Sequence, residues 1–346
     1  MATSALACIG GKWGTELADV TDDLAALDGA GRWAVAIPYS GRPVCARFSR
    51  WSAEPPDGQI GSWRGPAPDS WRSSLDEHAY VWAVESVRRA IADGTVYQVN
   101  VCRVTSATLP DPASSDVAAL HRLLETGNPS PYGGFLRLPG QGVHIASASP
   151  ELYLSTGPSS AGRVVTSGPI KGTGRTVSDL TAKDAAENVM IVDLVRNDLS
   201  RVCRTGSVTV PELLGVQAHP GLVHLVSYVR GVLNDGVGWP ELVGATFPPG
   251  SVTGAPKSTA LRQIAAVEPG ERQFYCGAFG WVDADTGEAE LAVAIRTFWV
   301  EGSELRFGTG AGITWDSDAH REWRETELKA ATLVDVAART WQAGRS

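Results

Sequence analysis

Apolar residues recur every three or four positions in DEHAYVWAVESVRRAIADG, where Tyr80, Val84, Val87 and Ile91 share one helical face and Gly94 sits where a helix would stop. The next stretch, VYQVNVCRVTSATL, switches to a period of two, with Tyr97, Val99 and Val101 on one side and Gln98, Asn100 and Cys102 on the other. That pattern predicts a strand with a polar face. Further strands are predicted at 133–138, 143–154, 163–168, 222–233, 274–283, 290–300 and 304–309, and helices near 180–195, 239–246, 256–267 and 317–341. Upstream, a Gly- and Trp-rich stretch to about residue 60 contains the hairpin-like RWAVAIPYSGRPVCARF. The Pro/Ser/Gly run PPDGQIGSWRGPAPDSWRSS then reads as a linker or surface loop. The expected organisation is an N-terminal segment, 1–75, followed by a main domain, 76–346. Many strands joined by short turns such as DADTG and EGS, with helices arriving irregularly, predict an α+β fold of large antiparallel or mixed sheets packed with helices.

Composition narrows the function classes. The 346 residues are 43% apolar, enough for a sizeable core, and the formal charge of −8 shows no basic stripe that a nucleic-acid backbone would require. An anionic ligand must therefore be met by a local cluster or a metal. Five cysteines without a C-x-x-C spacing suggest neither a disulfide framework nor a zinc site, so a reduced cytoplasmic setting is expected. ALACIGG lacks a basic flank and is not read as a signal peptide, and no apolar run reaches the roughly 18 residues of a membrane span.

Two acidic pairs at i, i+3 spacing carry the strongest chemical signal: Asp184/Glu187 in TAKDAAENVMIVDLVRND and Glu322/Glu325 in SDAHREWRETELKA. On a helix each pair points two carboxylates from one face. Two such faces opposed would suit magnesium, a hard cation that takes few protein carboxylates and completes its shell from water and substrate. The same residues also suit solvated faces, with Glu325 paired to Lys329 and Asp184/Glu187 near a helix N-terminus. Lys171, in GPIKGTGR, sits in a tight glycine-flanked loop, as a solvated lysine, a carboxylate-binding cation or an activated amine. In FPPGSVTGAPK, Ser251 and Thr253 lie just before Pro256 at a predicted first helical turn, a setting that binds anions. This segment is not a P-loop, and GTGAGI at 308–313 fails the dinucleotide fingerprint. His224 stands in an apolar strand as a core or catalytic histidine, and Arg296 interrupts another, where a buried guanidinium needs a carboxylate or a ligand. Tyr275 reads by default as packing.

From about Asp76 to Leu333, the blocks ENVMIVDLVRNDLSRVC, PGLVHLVS, GSVTGAPK, YCGAFG, AIRT and GTGAGITWDSDAHREWRET resemble, in the same order, those of the chorismate-utilising enzymes. That group includes anthranilate, aminodeoxychorismate, isochorismate and salicylate synthases. The resemblance implies the anthranilate synthase component I-like fold and magnesium held by Glu187 and Glu325, with Glu322 and Asp184 in support. It further implies that Tyr275, Arg296 and the backbone of Gly310 and Gly312 hold substrate carboxylate, and that His224 lies against the ring.

Two positions refine the resemblance. Members that add water place a lysine base where this chain has Gln98; glutamine cannot deprotonate water, and ammonia needs no such help. At the Lys171 loop, anthranilate synthases resemble PIAGT and aminodeoxychorismate synthases PIKGT, and this chain has PIKGT. The resemblance thus implies amination of chorismate at C4, with Lys171 adding at C2 as a neutral amine before ammonia displaces it. His224 is then expected to assist the departing hydroxyl. Ammonia is expected from a separate glutamine amidotransferase subunit, because no such domain is evident. The alternatives are anthranilate synthesis, which Lys171 disfavours, and an aminodeoxyisochorismate-type reaction. Gly174 replaces the arginine of related loops, and the N-terminal region is short for the family.

Overall fold

The structure, a computed structural model, describes residues 4–219 and 222–342. Pro220 and Gly221 of the PGLVHLVS block lie outside the described residues. Eighteen strands join in one hydrogen-bonded sheet, and six α-helices accompany it among the described residues. The α+β class and the antiparallel pairing follow the sequence pattern.

Helix α1, Glu77–Ala92, begins where the Asp76 carboxylate accepts from the Ala79 amide, and it buries Tyr80, Ala83, Val84, Val87 and Ala90. Helix α2, Val117–Gly127, was not anticipated. Asp116 caps it and also pairs with buried Arg137 at 2.5 Å. Helix α3, Ala182–Ser200, opens with a capping box between Thr181 and Asp184. Helices α4, Trp239–Thr246, and α5, Lys257–Val267, flank the FPPGSVTGAP segment. Helix α6, Ala319–Ala337, is capped by Asp318 and buries Glu322, Trp323, Thr326 and Leu333 on its inner face.

The strand Gln98–Thr108 runs antiparallel to Glu304–Ile313 through ten consecutive residue pairs. Val99 and Val101 join α1 and α5 in one core cluster, whereas Gln98, Asn100 and Cys102 are also buried. The polar face therefore points into the molecule, not to solvent.

Two predicted strands are divided and a third is shortened. The run 143–154 divides into Val143–Ser149 and Leu152–Ser159, because Pro150 cannot donate to the ladder. The run 290–300 divides at Arg296, whose φ of 52° separates Glu288–Val293 from Thr297–Glu301. The strand expected from 274 starts at Ala278, since Gln273 and Cys276 take φ of 50° and 64° in a turn.

The run expected as a linker is partly built into the core. Trp63 is fully buried, its indole donates to the Ala337 carbonyl at 2.8 Å, and Trp63–Arg64 pairs with Thr340–Trp341. The hairpin Arg32–Ile37 with Val44–Ser52 forms as expected. It joins the main sheet through Ala278–Asp283, as Leu6–Ile9 does through Tyr132–Leu138. Trp63→Ala is expected to destabilise the protein by about 3–5 kcal/mol in urea unfolding, the cost of an aromatic cavity; a surface loop would lose almost nothing.

Candidate active site

A cavity of about 760 Å³ lies between the sheet and helices α3 and α6, a size suited to a small organic ligand. Its lining brings together Lys171, Asp184, Glu187, His224, Ser251, Tyr275, Arg296, Gly310, Gly312, Glu322 and Glu325. The two acidic pairs thus face one space from helices more than a hundred residues apart.

Lys171 reaches this space from an irregular strand, Ile170–Gly174. Pairing with Leu222–Val232 shifts register between Ile170↔Val226 and Thr173↔His224. Gly172 lies in that shift at φ 86°, and a Cβ there would stand 2.8 Å from the Asp184 Cβ, so only glycine lets the strand meet the start of α3. The Lys171 ammonium donates to the Ser251 carbonyl at 3.0 Å. His224, buried in the adjacent strand, shares a 2.8 Å hydrogen bond between Nδ1 and Thr173 Oγ1.

The carboxylates sit within a network of internal cations. Lys183 Nζ lies 3.6 Å from Glu187 Oε1 and 3.6 Å from Glu322 Oε1. Lys329 Nζ holds Glu325 at 2.7 Å, and Ser317 Oγ donates to Glu322 at 2.7 Å. Asp184 Oδ2 accepts from the Thr181 amide and hydroxyl at 2.8 and 2.7 Å, so one of its oxygens serves the helix cap. Burial pushes the Glu187 carboxyl up, opposed by Lys171 and Lys183. At Glu325 burial also raises the value, but Lys329, Lys183 and Lys171 outweigh it and hold the group below its ordinary range.

Among the described residues no three His, Cys, Asp or Glu side chains converge into a ready-made metal cluster. The donor set nevertheless fits magnesium: it is all oxygen, it comes from two facing helices, and a cation, the Lys183 ammonium, already stands between two of its members.

Arg296 stands outside this network. Burial pulls its guanidinium below the usual arginine range, and among the described residues no carboxylate lies in ion-pairing distance of it. A desolvated guanidinium at a cavity wall without a protein counter-ion is a site for an anion. Tyr275, also buried in the lining, lies against Gly308, where a Cβ would stand 2.0 Å from its ring. Gly308, Gly310 and Gly312 alternate along one strand face and leave room for Tyr275, Cys102 and Gln98.

Two expected binding residues stay off the cavity wall. Thr253 is fully buried and its hydroxyl donates to the carbonyls of Pro249 and Gly250. Gln98 lies behind the wall, its amide 3.5 Å from Glu187 Oε2. The expected anion site at the start of α5 is also altered. Gly254–Ala255 pairs with Gln98 and Val99 as a short strand, Pro256 is the cap, and Lys257 turns to Asp198 at 2.6 Å.

Glu151 escaped the sequence reading. It follows Pro150 at the strand break, is 4% exposed, lines the cavity, and has one carboxylate oxygen without a hydrogen-bond partner. Burial pushes its carboxyl up to about 7, with Ser251, the charge of Lys171 and the Ile170 backbone opposing the rise. The available signal was a Pro-Glu pair inside the largely apolar run IASASPELYL.

A family model described as chorismate binding enzyme matches residues 50–335. Aminodeoxychorismate synthase of Streptomyces pristinaespiralis is 38% identical over 338 residues, 90% of this chain and 45% of that protein. Anthranilate synthase component 1 of Streptomyces coelicolor is 36% identical over 313 residues, 87% of this chain and 57% of that protein. The chain spans about half the length of these relatives. The crystal structure of anthranilate synthase component I from Streptococcus pneumoniae shares the fold, with a TM-score of 0.75 at 24% identity over 90% of this chain and 84% of that one.

Glu151 makes stability depend on pH. Its folded value of about 7 lies above the ordinary 4.5, so the folded protein retains a proton that the unfolded chain releases between them. The resulting stabilisation is complete below the ordinary value and is lost as pH rises through about 7. Glu151→Gln should therefore gain stability relative to the wild type, by up to ~3 kcal/mol, between about pH 5 and pH 8 in urea unfolding. A pH-independent difference would contradict the assignment.

Proposed function

The chain belongs to the chorismate binding enzymes, and from that footing we propose that it replaces the 4-hydroxyl of chorismate by an amino group, giving 4-amino-4-deoxychorismate and water. Lys171 carries this reading: it projects from the PIKGT loop into the cavity, within the fields of Glu151 and Glu187. Ammonia is taken from a glutamine amidotransferase partner, in keeping with relatives that are named as component 1 of their synthases. A cytoplasmic setting suits such an enzyme; among the described residues no helix is long and apolar enough to cross a membrane.

Chorismate has two carboxylates, and the cavity offers two means of meeting them. Arg296 and Tyr275 face one with charge and a phenol hydrogen bond, beside the backbone of Gly310 and Gly312. Glu187, Glu322 and Glu325, with Asp184 beside them, would hold magnesium, which supplies Lewis-acid polarisation of a bound carboxylate.

The Lys171 amine forms a bond to C2 of the ring as the double bonds shift and the C4–O bond breaks. Glu151, whose value of about 7 keeps a large fraction of it protonated at neutral pH, gives its proton to the departing hydroxide, which leaves as water. Ammonia then bonds to C4, the double bonds shift back, and the C2–N bond to Lys171 breaks, with the proton shed by ammonia returning to Glu151. Gln98 lacks the basicity to activate water in competition with ammonia. His224, fixed by Thr173, orients the ring and the leaving hydroxyl.

Anthranilate synthesis is the second reading, favoured by the 36% identity to the Streptomyces coelicolor enzyme. Incubation with chorismate, magnesium and ammonium, followed by aminodeoxychorismate lyase, separates the two. 4-Aminobenzoate is expected, whereas anthranilate fluorescence would select the second reading. Arg296→Ala should raise KM for chorismate roughly 10- to 100-fold, the worth of one desolvated charged hydrogen bond. An unchanged KM would place the carboxylate elsewhere.

A further inference from the structure

Lys183 occupies the second position of α3, where a positive charge runs against the helix dipole. Two carboxylates hold it there. Its ammonium is 3.6 Å from Glu187 one turn along and 3.6 Å from Glu322 on α6, and it is the one ion pair joining α3 to α6 among the described residues. With 44% of its side chain exposed, it has solvent to move into, whereas Lys329 is also anchored by the Gly310 carbonyl at 3.2 Å.

We propose that Lys183 is the resident counter-cation of the carboxylate cluster: its ammonium holds the place between Glu187 and Glu322 until a divalent metal displaces it. This rests on the magnesium reading above. Two cations cannot share the space between the same two oxygens. A divalent ion at its ~2.1 Å contact attracts each carboxylate roughly three times as strongly as an ammonium at the observed 3.6 Å, in the same dielectric. Metal entry and release of the α3–α6 tie are then one event. The substrate-free cavity stays neutralised without metal, and the loaded one frees a lysine at its mouth.

Amine footprinting of the whole protein tests this directly. Acetylation by an N-hydroxysuccinimide ester, mapped by mass spectrometry, is run with and without magnesium chloride, each with and without chorismate. Calorimetry on the same samples reports whether metal binds. The expected result is a several-fold rise in Lys183 labelling wherever metal is bound, with exposed Lys12 unchanged. Lys183→Met should also bind magnesium about tenfold more tightly than the wild type. Arg324→Gln, which removes an exposed charge from α6, should not. Bound metal with unchanged Lys183 labelling overturns the proposal and leaves the magnesium reading standing. No metal binding to either protein, with or without chorismate, overturns both.

Discussion

Gathering two acidic pairs around one cavity is unfavourable unless positive charge stands among them, and that constraint organises the site. Asp184 and Glu187 come from α3, Glu322 and Glu325 from α6. Lys183 bridges the two helices, Lys329 holds the last acid, and Lys171 extends its field over Glu151, Glu187 and Glu325. Arg296 is the exception, a desolvated cation with no carboxylate in ion-pairing distance among the described residues. One part of the cavity is therefore balanced from within, and in the proposed reading the other takes an anion. A ligand with two carboxylates and a ring between them complements both.

The regular ladder supplies the scaffold, and its interruptions aim the chemistry. Glu151 follows the proline that divides one strand, Lys171 sits in a register shift, Tyr275 lies in a turn before a strand begins, and Arg296 takes a left-handed backbone where two strands part. Each interruption turns a charged or polar side chain out of the sheet and into the cavity. Alternating glycines on Glu304–Ile313 clear the wall against which these groups meet.

Periodicity made most of this scaffold legible. The heptad-like spacing of α1 and the acidic spacing of α3 and α6 survived because each reflects a single helix burying a single face. Strand breaks were not legible, since an apolar run reads as continuous whether or not one residue leaves the plane. Glu151 was lost for that reason. Trp63 was hidden by its Pro/Gly-rich neighbours, which signal turns but say nothing of what the tryptophan packs against. Lys183 was not singled out in the sequence, because its meeting with Glu322 depends on a contact 139 residues away. Thr253 was read as a ligand group because hydroxyls near a helix start bind anions, but a turn in its own segment takes the hydroxyl first.

The central claim is that the Lys171 amine, not water or ammonia, first enters the ring. Intact-protein and peptide mass spectrometry after rapid acid quench, with chorismate and magnesium but no ammonia, measures this most directly. The expected result is an added mass equal to chorismate less one water, mapped to Lys171 and absent from Lys171→Ala. Unmodified protein under conditions where the wild type turns over with ammonia, or an adduct on any other residue, would contradict it.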